Sequence, residues 1–306
     1  MSDLTEAVTG GATTPEKNDK PDRVGSMWSD AFRDLRRRPT VIVSVLILLT
    51  VYSMAAFPWL WTSVDPENCD ALLHRQTPSA EHIFGMDQYG CDYYAMMIYG
   101  SQPTVMLTLI VTAVTLTLSI ILGSMAGYFG GWVDAVISRV VEVFMSVPFF
   151  LGAILMIALF RDAADTILPI ALILSATGWM FETRLLRSKV LELKNYDFVH
   201  AARSLGASHG RLMFRHILPG AIPPVLAIIP LNLAGIVSVE AALSFLGLGL
   251  QPPAISWGIM IDRGTNDFIS GDHFLLLIPT GFLLAVVMSF VLLGDALRDA
   301  LDPKLR

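Results

Sequence analysis

Two stretches of this chain carry no charged side chain for longer than a bilayer needs. Residues 39–64, between Arg38 and Asp65, have none, and neither does the run from Tyr93 to Val133. A helix of about 20 apolar residues crosses the hydrocarbon layer of a membrane. An average soluble domain carries about 25% charged residues; this chain of 306 residues has 16%, with 54% hydrophobic. Lipid is therefore the expected solvent, and the expected fold is an all-α membrane protein with six transmembrane helices. They fit at about 40–61, 103–126, 133–160 and 166–182, then from Pro219 onward, and at about 273–294, the fifth being the least regular. The polar start of the chain lacks the apolar core of a signal peptide and reads as a disordered tail. The first apolar run reads as an uncleaved span.

Basic residues in short loops mark the cytoplasmic side. With the N-terminus inside, all of the 21 Lys and Arg except Arg75, Arg161 and Arg263 fall on that side. The loop after the first span is instead acidic, with Asp65, Glu67, Asp70, Glu81, Asp87 and Asp92. Both termini are expected in the cytoplasm. The organisation read from this is a tail (1–38), a first span (39–62), an extracytoplasmic loop (63–100), a transmembrane domain (101–297) with a long inner loop at about 185–218, and a C-terminal end (298–306).

That inner loop contains HAARSLGASHGRLMFRHILPG, residues 200–220. Asp197 can cap a helix, and Phe198, Ala201, Ala202 and Leu205 recur at helical spacing as one apolar face. Gly206 suits a left-handed helix end, Ser208 can cap a second helix, and Pro219 marks the approach to the fifth span. The stretch reads as two short helices with an elbow at the membrane surface. Pattern alone leaves two uses open: an amphipathic helix drawn to anionic lipid by its arginines, or a helix that docks on a protein.

The same stretch resembles the EAA loop of ABC-importer permeases, through Ala201-Ala202, Gly206 and Ile217-Leu218-Pro219, with His200 in place of the glutamate that names the motif. Other stretches are similar to the dipeptide and oligopeptide branch of that family, C-type permeases in particular. They are HIFGMDQYGCDYY (82–94) with Phe84, Gly85, Asp87, Gly90 and Asp92, AGYFGGWVD (126–134), AALSFLGLGLQPPAISWG (241–258) and GDALRDALDPKLR (294–306). At the outer-loop motif the chain departs from the family, with Cys91 where arginine is usual and Ala95-Met96 where Ser-Arg is usual.

The resemblance implies the type I ABC-importer permease architecture. It implies a coupling helix that docks on a cytoplasmic ATPase, built from Phe198, His200, Ala201, Ala202, Arg203, Leu205, Gly206, Arg211, Arg215, Leu218 and Pro219. It implies as partners a second homologous permease, one or two ABC ATPase subunits, an extracytoplasmic peptide-binding protein and membrane lipid, with no nucleic acid. No G-x-x-x-x-G-K-[ST] phosphate loop occurs, so ATP and Mg are expected in partner subunits and no cofactor in this chain. No nucleophile–base or metal-ligand pattern marks an enzyme. The expected role is a plasma-membrane permease for peptides. Nickel or glutathione is the alternative within the class, and an ion-coupled secondary transporter the alternative outside it.

Three further features stand out. Cys69 and Cys91, the only cysteines, share the outer loop, where they are either a disulfide or two thiols. Glu240 is the only charge between Arg215 and Asp262 and reads either as lining the translocation pathway or as an interfacial acid. Arg139 and Glu142 can pair on one helix face, and Pro148, Pro169, Pro223, Pro224 and Pro230 fall within spans, where proline often marks a bend.

Overall fold

The charge-free runs are helical. In a computed structural model, residues 32–159, 167–251 and 253–301 are described; the tail at 1–31, Arg161 and the last residues of the C-terminal motif lie outside them. The first run forms α1 (Pro39–Ala56). The second forms α2 (Tyr93–Tyr99) and α3 (Ser101–Phe129). There follow α4 (Gly131–Ser146), α5 (Phe149–Leu159), α6 (Ile167–Gly178), α7 (Met180–Lys194), α8 (Asp197–Ser204), α9 (His209–Arg211), α10 (Leu218–Phe245), α11 (Trp257–Ile269) and α12 (Phe274–Leu301). No strand occurs among the described residues, only an isolated bridge between Met86 and Asp92.

Four helical stretches are long and apolar enough to cross a membrane: Pro39–Ala56, Tyr93–Phe129, His209–Phe245 and Phe274–Leu301. The span expected at about 133–160 is instead the pair α4 and α5, which meet at 82°. Counted as one span, that pair makes five. The cause of the bend is local. Pro148 has no N–H to donate and its ring crowds the preceding turn, so Val147 leaves the helix for extended backbone (φ −87°, ψ 122°). The span expected at about 166–182 is represented by α6, whose 12 residues rise only about 18 Å. Past Trp179 the chain continues directly into the polar helix α7, so the segment expected as an inner loop begins inside a helix.

At most 33% of the apolar window in each spanning stretch is buried within the chain. Ile42, Leu46, Leu49, Val143, Leu151, Leu155, Leu284 and Met288 are among the apolar side chains left exposed. Such faces need lipid or a partner to cover them.

Inside, α3 packs along α7, α10 along α12, and α12 also meets α1 and α11. The α3–α7 contact is close because α3 carries Gly123 and Gly127, a small-x-x-x-small pair. A Cβ at Gly127 would lie 2.8 Å from both the Arg187 carbonyl oxygen and Val190 Cβ. Five apolar clusters form among the described residues, of which three are large. One joins Leu48, Met97, Trp257 and Phe290, from α1, α2, α11 and α12. A second joins Leu107, Ile157, Leu174 and Leu243. The third joins Tyr128, Leu186, Val190, Val199, Leu212 and Ile217 beneath α8.

Candidate functional site: a surface elbow and a cavity between helices

The elbow begins where α8 ends. Gly206 takes φ +84°, its N–H bonds the Arg203 carbonyl at 3.0 Å, and the Ala207 N–H reaches back to the Ala202 carbonyl at 3.1 Å. These two bonds form a Schellman end, which requires the left-handed residue that glycine supplies most easily. Ser208 then caps the next helix, its hydroxyl accepting from the Arg211 N–H at 3.4 Å.

Two local expectations are corrected. Asp197 does not cap α8: Tyr196 holds the N-cap position without a side-chain bond, and Asp197 lies in the first turn, where its charge still suits the helix dipole. The second helix is not short either. From α9 the backbone passes through a π-helical turn, Leu212–Ile217, straight into α10. Pro219 sits in the first turn of α10, and its missing N–H leaves a carbonyl one turn back without an α-helical donor, a need the wider π turn accommodates.

The twin alanines also divide. Successive helical residues are about 100° apart, so Ala202 packs with Val199 against the bundle while Ala201 faces outward. Phe198 is 46% exposed and Leu205 is 89% exposed beside it. His200, Arg203, Arg211, Arg215 and Pro219 are exposed as well, and Leu218 is half-buried. The elbow thus has an outward face of apolar and basic side chains. Its inner face is held by Val199, Leu212 and Ile217, each 1% exposed or less. Polar ties reinforce it. Tyr128 and His209 Nδ1 share a hydrogen bond of 2.8 Å, Lys194 donates to the Tyr128 carbonyl, and Arg187 grips Asp134 with two hydrogen bonds. The α8 elbow, the end of α3 and the start of α4 are therefore one mechanical unit around α7.

Further into the bundle lies a cavity of about 490 Å³. Val147 and Pro148, at the 82° bend, form part of its wall, with Val111, Leu174, Ile236 and Val239. Glu182 also lines it, together with Asn232, Thr115 and Thr177. The Asn232 amide donates to Glu182 Oε1 at 2.6 Å and the Ser119 hydroxyl to Oε2 at 3.3 Å. Nothing in the sequence sets this carboxyl apart, since Arg184 and Arg187 follow it at the basic end of an apolar run. Glu240, the pathway candidate of the sequence, is 2% exposed and is not among the cavity's lining residues. Its Oε1 accepts from the Ser244 hydroxyl at 3.0 Å, and Oε2 is buried with no partner among the described residues.

At the other end, the loop of residues 63–92 is clamped onto the α11–α12 corner. Arg75 pairs with Asp267 at 2.8 Å and Asp272 at 3.6 Å, and the Tyr93 hydroxyl donates to the Leu275 carbonyl. Asp87 Oδ1 accepts from the Tyr89 and Cys91 N–H groups, each at 2.8 Å. Asp92 caps α2 through Ala95 N–H at 2.8 Å and holds His82 at 2.9 Å. Cys69 and Cys91 are bonded to each other across 22 residues of sequence. A loop of that length loses roughly 3 kcal/mol of denatured-state entropy on closure. Non-reducing peptide mapping is expected to recover one cross-linked pair, and Cys91→Ser to speed proteolysis within residues 63–92; two titratable thiols in the native protein would contradict the bond. Arg139 and Glu142 pair at 2.9 Å on an exposed face of α4.

Residues 119–306 match the model of the binding-protein-dependent transport system inner membrane component family. The chain belongs to that family. Residues 26–78 match the N-terminal transmembrane domain of oligopeptide transport permease C. The chain is 34% identical to the dipeptide transport system permease protein DppC of Alkalihalophilus pseudofirmus, over 96% of each chain. It is 33% identical to the oligopeptide transport system permease protein OppC of Bacillus subtilis, over 92% of this chain and 91% of that one. It is 31% identical to the glutathione transport system permease protein GsiD of Pectobacterium atrosepticum, over 96% of each. Among solved structures, the inward-facing MetNI methionine ABC transporter aligns with a TM-score of 0.54 at 19% identity, covering 68% of this chain and 96% of that one. This likeness shows a shared permease fold. The chain is a multi-pass membrane protein of a binding-protein-dependent transport system.

Proposed function

We propose that this family member is the permease subunit of an ATP-driven importer of dipeptides or oligopeptides, forming half of a translocation pathway with a homologous second permease. In this reading the short helix α6 completes a set of six spans and both termini face the cytoplasm. The observation that carries it is the elbow. Phe198, Ala201 and Leu205 are exposed on a helix whose opposite side is fixed to the bundle, as a lever needs on the side where a partner pushes. A helix resting on lipid would need no such anchorage. An ABC ATPase grips that face and holds the ATP and Mg, one or two such subunits serving the pair. An extracytoplasmic binding protein meets the clamped outer loop. The chain itself is non-catalytic.

Peptide as cargo is supported by the relatives, which are dipeptide and oligopeptide permeases over nearly the whole chain. The glutathione permease relative carries a peptide-like molecule too. The test is affinity purification of the tagged chain from its own membranes, followed by uptake of a labelled dipeptide into proteoliposomes. ATPase and permease subunits should co-elute, and uptake should require both ATP and the binding protein. Uptake by the chain alone under an ion gradient would overturn the proposal in favour of a secondary transporter.

A further inference from the structure

Among the described residues, the cavity wall holds one ionisable side chain, Glu182, with otherwise apolar and neutral polar residues around it. Its hydrogen-bond partners among the described residues are Asn232 and Ser119, both uncharged, and they come from α10 and α3. Joining three helices needs hydrogen bonds but no charge; a glutamine could make them without the cost of a carboxylate among apolar helices. Ionisable groups in such places usually face a cavity and meet a counter-charge there. Each carboxylate oxygen can accept more than one hydrogen bond, and Glu182, though only 2% exposed, is among the residues that line the cavity. A volume of about 490 Å³ lies within the range of small-molecule sites, roughly 300–1,000 Å³.

We infer that Glu182, oriented by Asn232 and Ser119, is a transit subsite for the ammonium group of cargo, with the apolar walls taking its side chains. The inference rests on the reading of this chain as a peptide permease and adds a residue-level selectivity to it. A free amino terminus gains a charge-assisted hydrogen bond there; an N-acetylated one does not.

Gly235 allows a direct test, because it lines the same cavity with open space around its Cβ position. The two native cysteines are bonded to each other, so Gly235→Cys introduces the one free thiol of this chain. In the assembled transporter without binding protein, maleimide labelling of this thiol is followed by mass while trialanine or N-acetyl-trialanine is titrated. Half-protection should need roughly tenfold less trialanine than acetylated peptide. Adding Glu182→Gln should raise the trialanine requirement to the acetylated value, and Glu182→Asp, which keeps the charge, should preserve most of the difference. Equal half-protection by both peptides, no protection by either, or a preference that survives Glu182→Gln would each overturn the subsite. ATP-dependent trialanine uptake by the wild-type transporter with its binding protein is measured alongside. Uptake without charge-dependent protection removes the subsite and leaves the permease reading intact, whereas charge-dependent protection without ATP-dependent uptake removes the importer reading.

Discussion

Ala201→Arg is expected to leave the permease folded and in the membrane while ATP-driven peptide uptake falls by roughly 30-fold or more. Ala201 points away from the bundle between Phe198 and Leu205, both exposed, and arginine is nearly as good a helix former as alanine. Nothing in the chain's own packing therefore opposes the substitution. A long charged side chain at the centre of a docking face is a different matter. Disrupting a central contact of an interface typically costs about 2 kcal/mol or more, which corresponds to about 30-fold in affinity. Ala201→Ser, small and uncharged, should retain most uptake. Ala202→Arg should fail differently, by lowering the amount of folded chain, because Ala202 packs against the Val199 cluster. Co-purification of ATPase subunits together with vesicle uptake separates these cases. Full uptake by Ala201→Arg would show that α8 is not the docking element.

Trp257→Ala should be the most damaging single change to stability outside the coupling end. Trp257 is fully buried, its indole N–H donates to the Met97 carbonyl at 2.9 Å, and its ring meets Phe282 edge-on at 6.1 Å between centroids. It therefore ties α11 to α2 and α12 at once. Removing a buried tryptophan costs about 3–5 kcal/mol. Trp257→Phe keeps much of the volume but leaves the carbonyl without its donor, at about 1–3 kcal/mol. Thermal unfolding in detergent should rank the wild type above Trp257→Phe and that above Trp257→Ala. A Trp257→Ala protein as stable as the wild type would mean that this junction carries little of the fold.

Some of this architecture could be read from neighbouring residues alone. Charge-free runs mark α1 and α3, and long apolar runs with little charge mark α10 and α12, because the cost of charge in hydrocarbon acts on every residue of a span, independent of its partners. The turn at Gly206 was legible because a Schellman end is made within six residues. Asp87 acts within four residues of itself, and Asp92 holds Ala95 three residues on and His82 ten residues back, so the outer motif at 82–94 carries its own structural reason. The place of Pro148 as a bend is local too, although its 82° is not.

The linear order of residues by itself determined that the chain enters lipid repeatedly and that a basic elbow interrupts it, since hydropathy and helix-end chemistry are short-range properties. Which side of α8 is free, whether Glu240 or Glu182 borders the cavity, and how closely α3 can approach α7 were decided only in three dimensions. Glu182 and Asn232 are 50 positions apart, and only the packing of α3, α7 and α10 brings their polar atoms to one wall. Helical periodicity tells that a helix has faces; what each face meets depends on elements far away in the sequence.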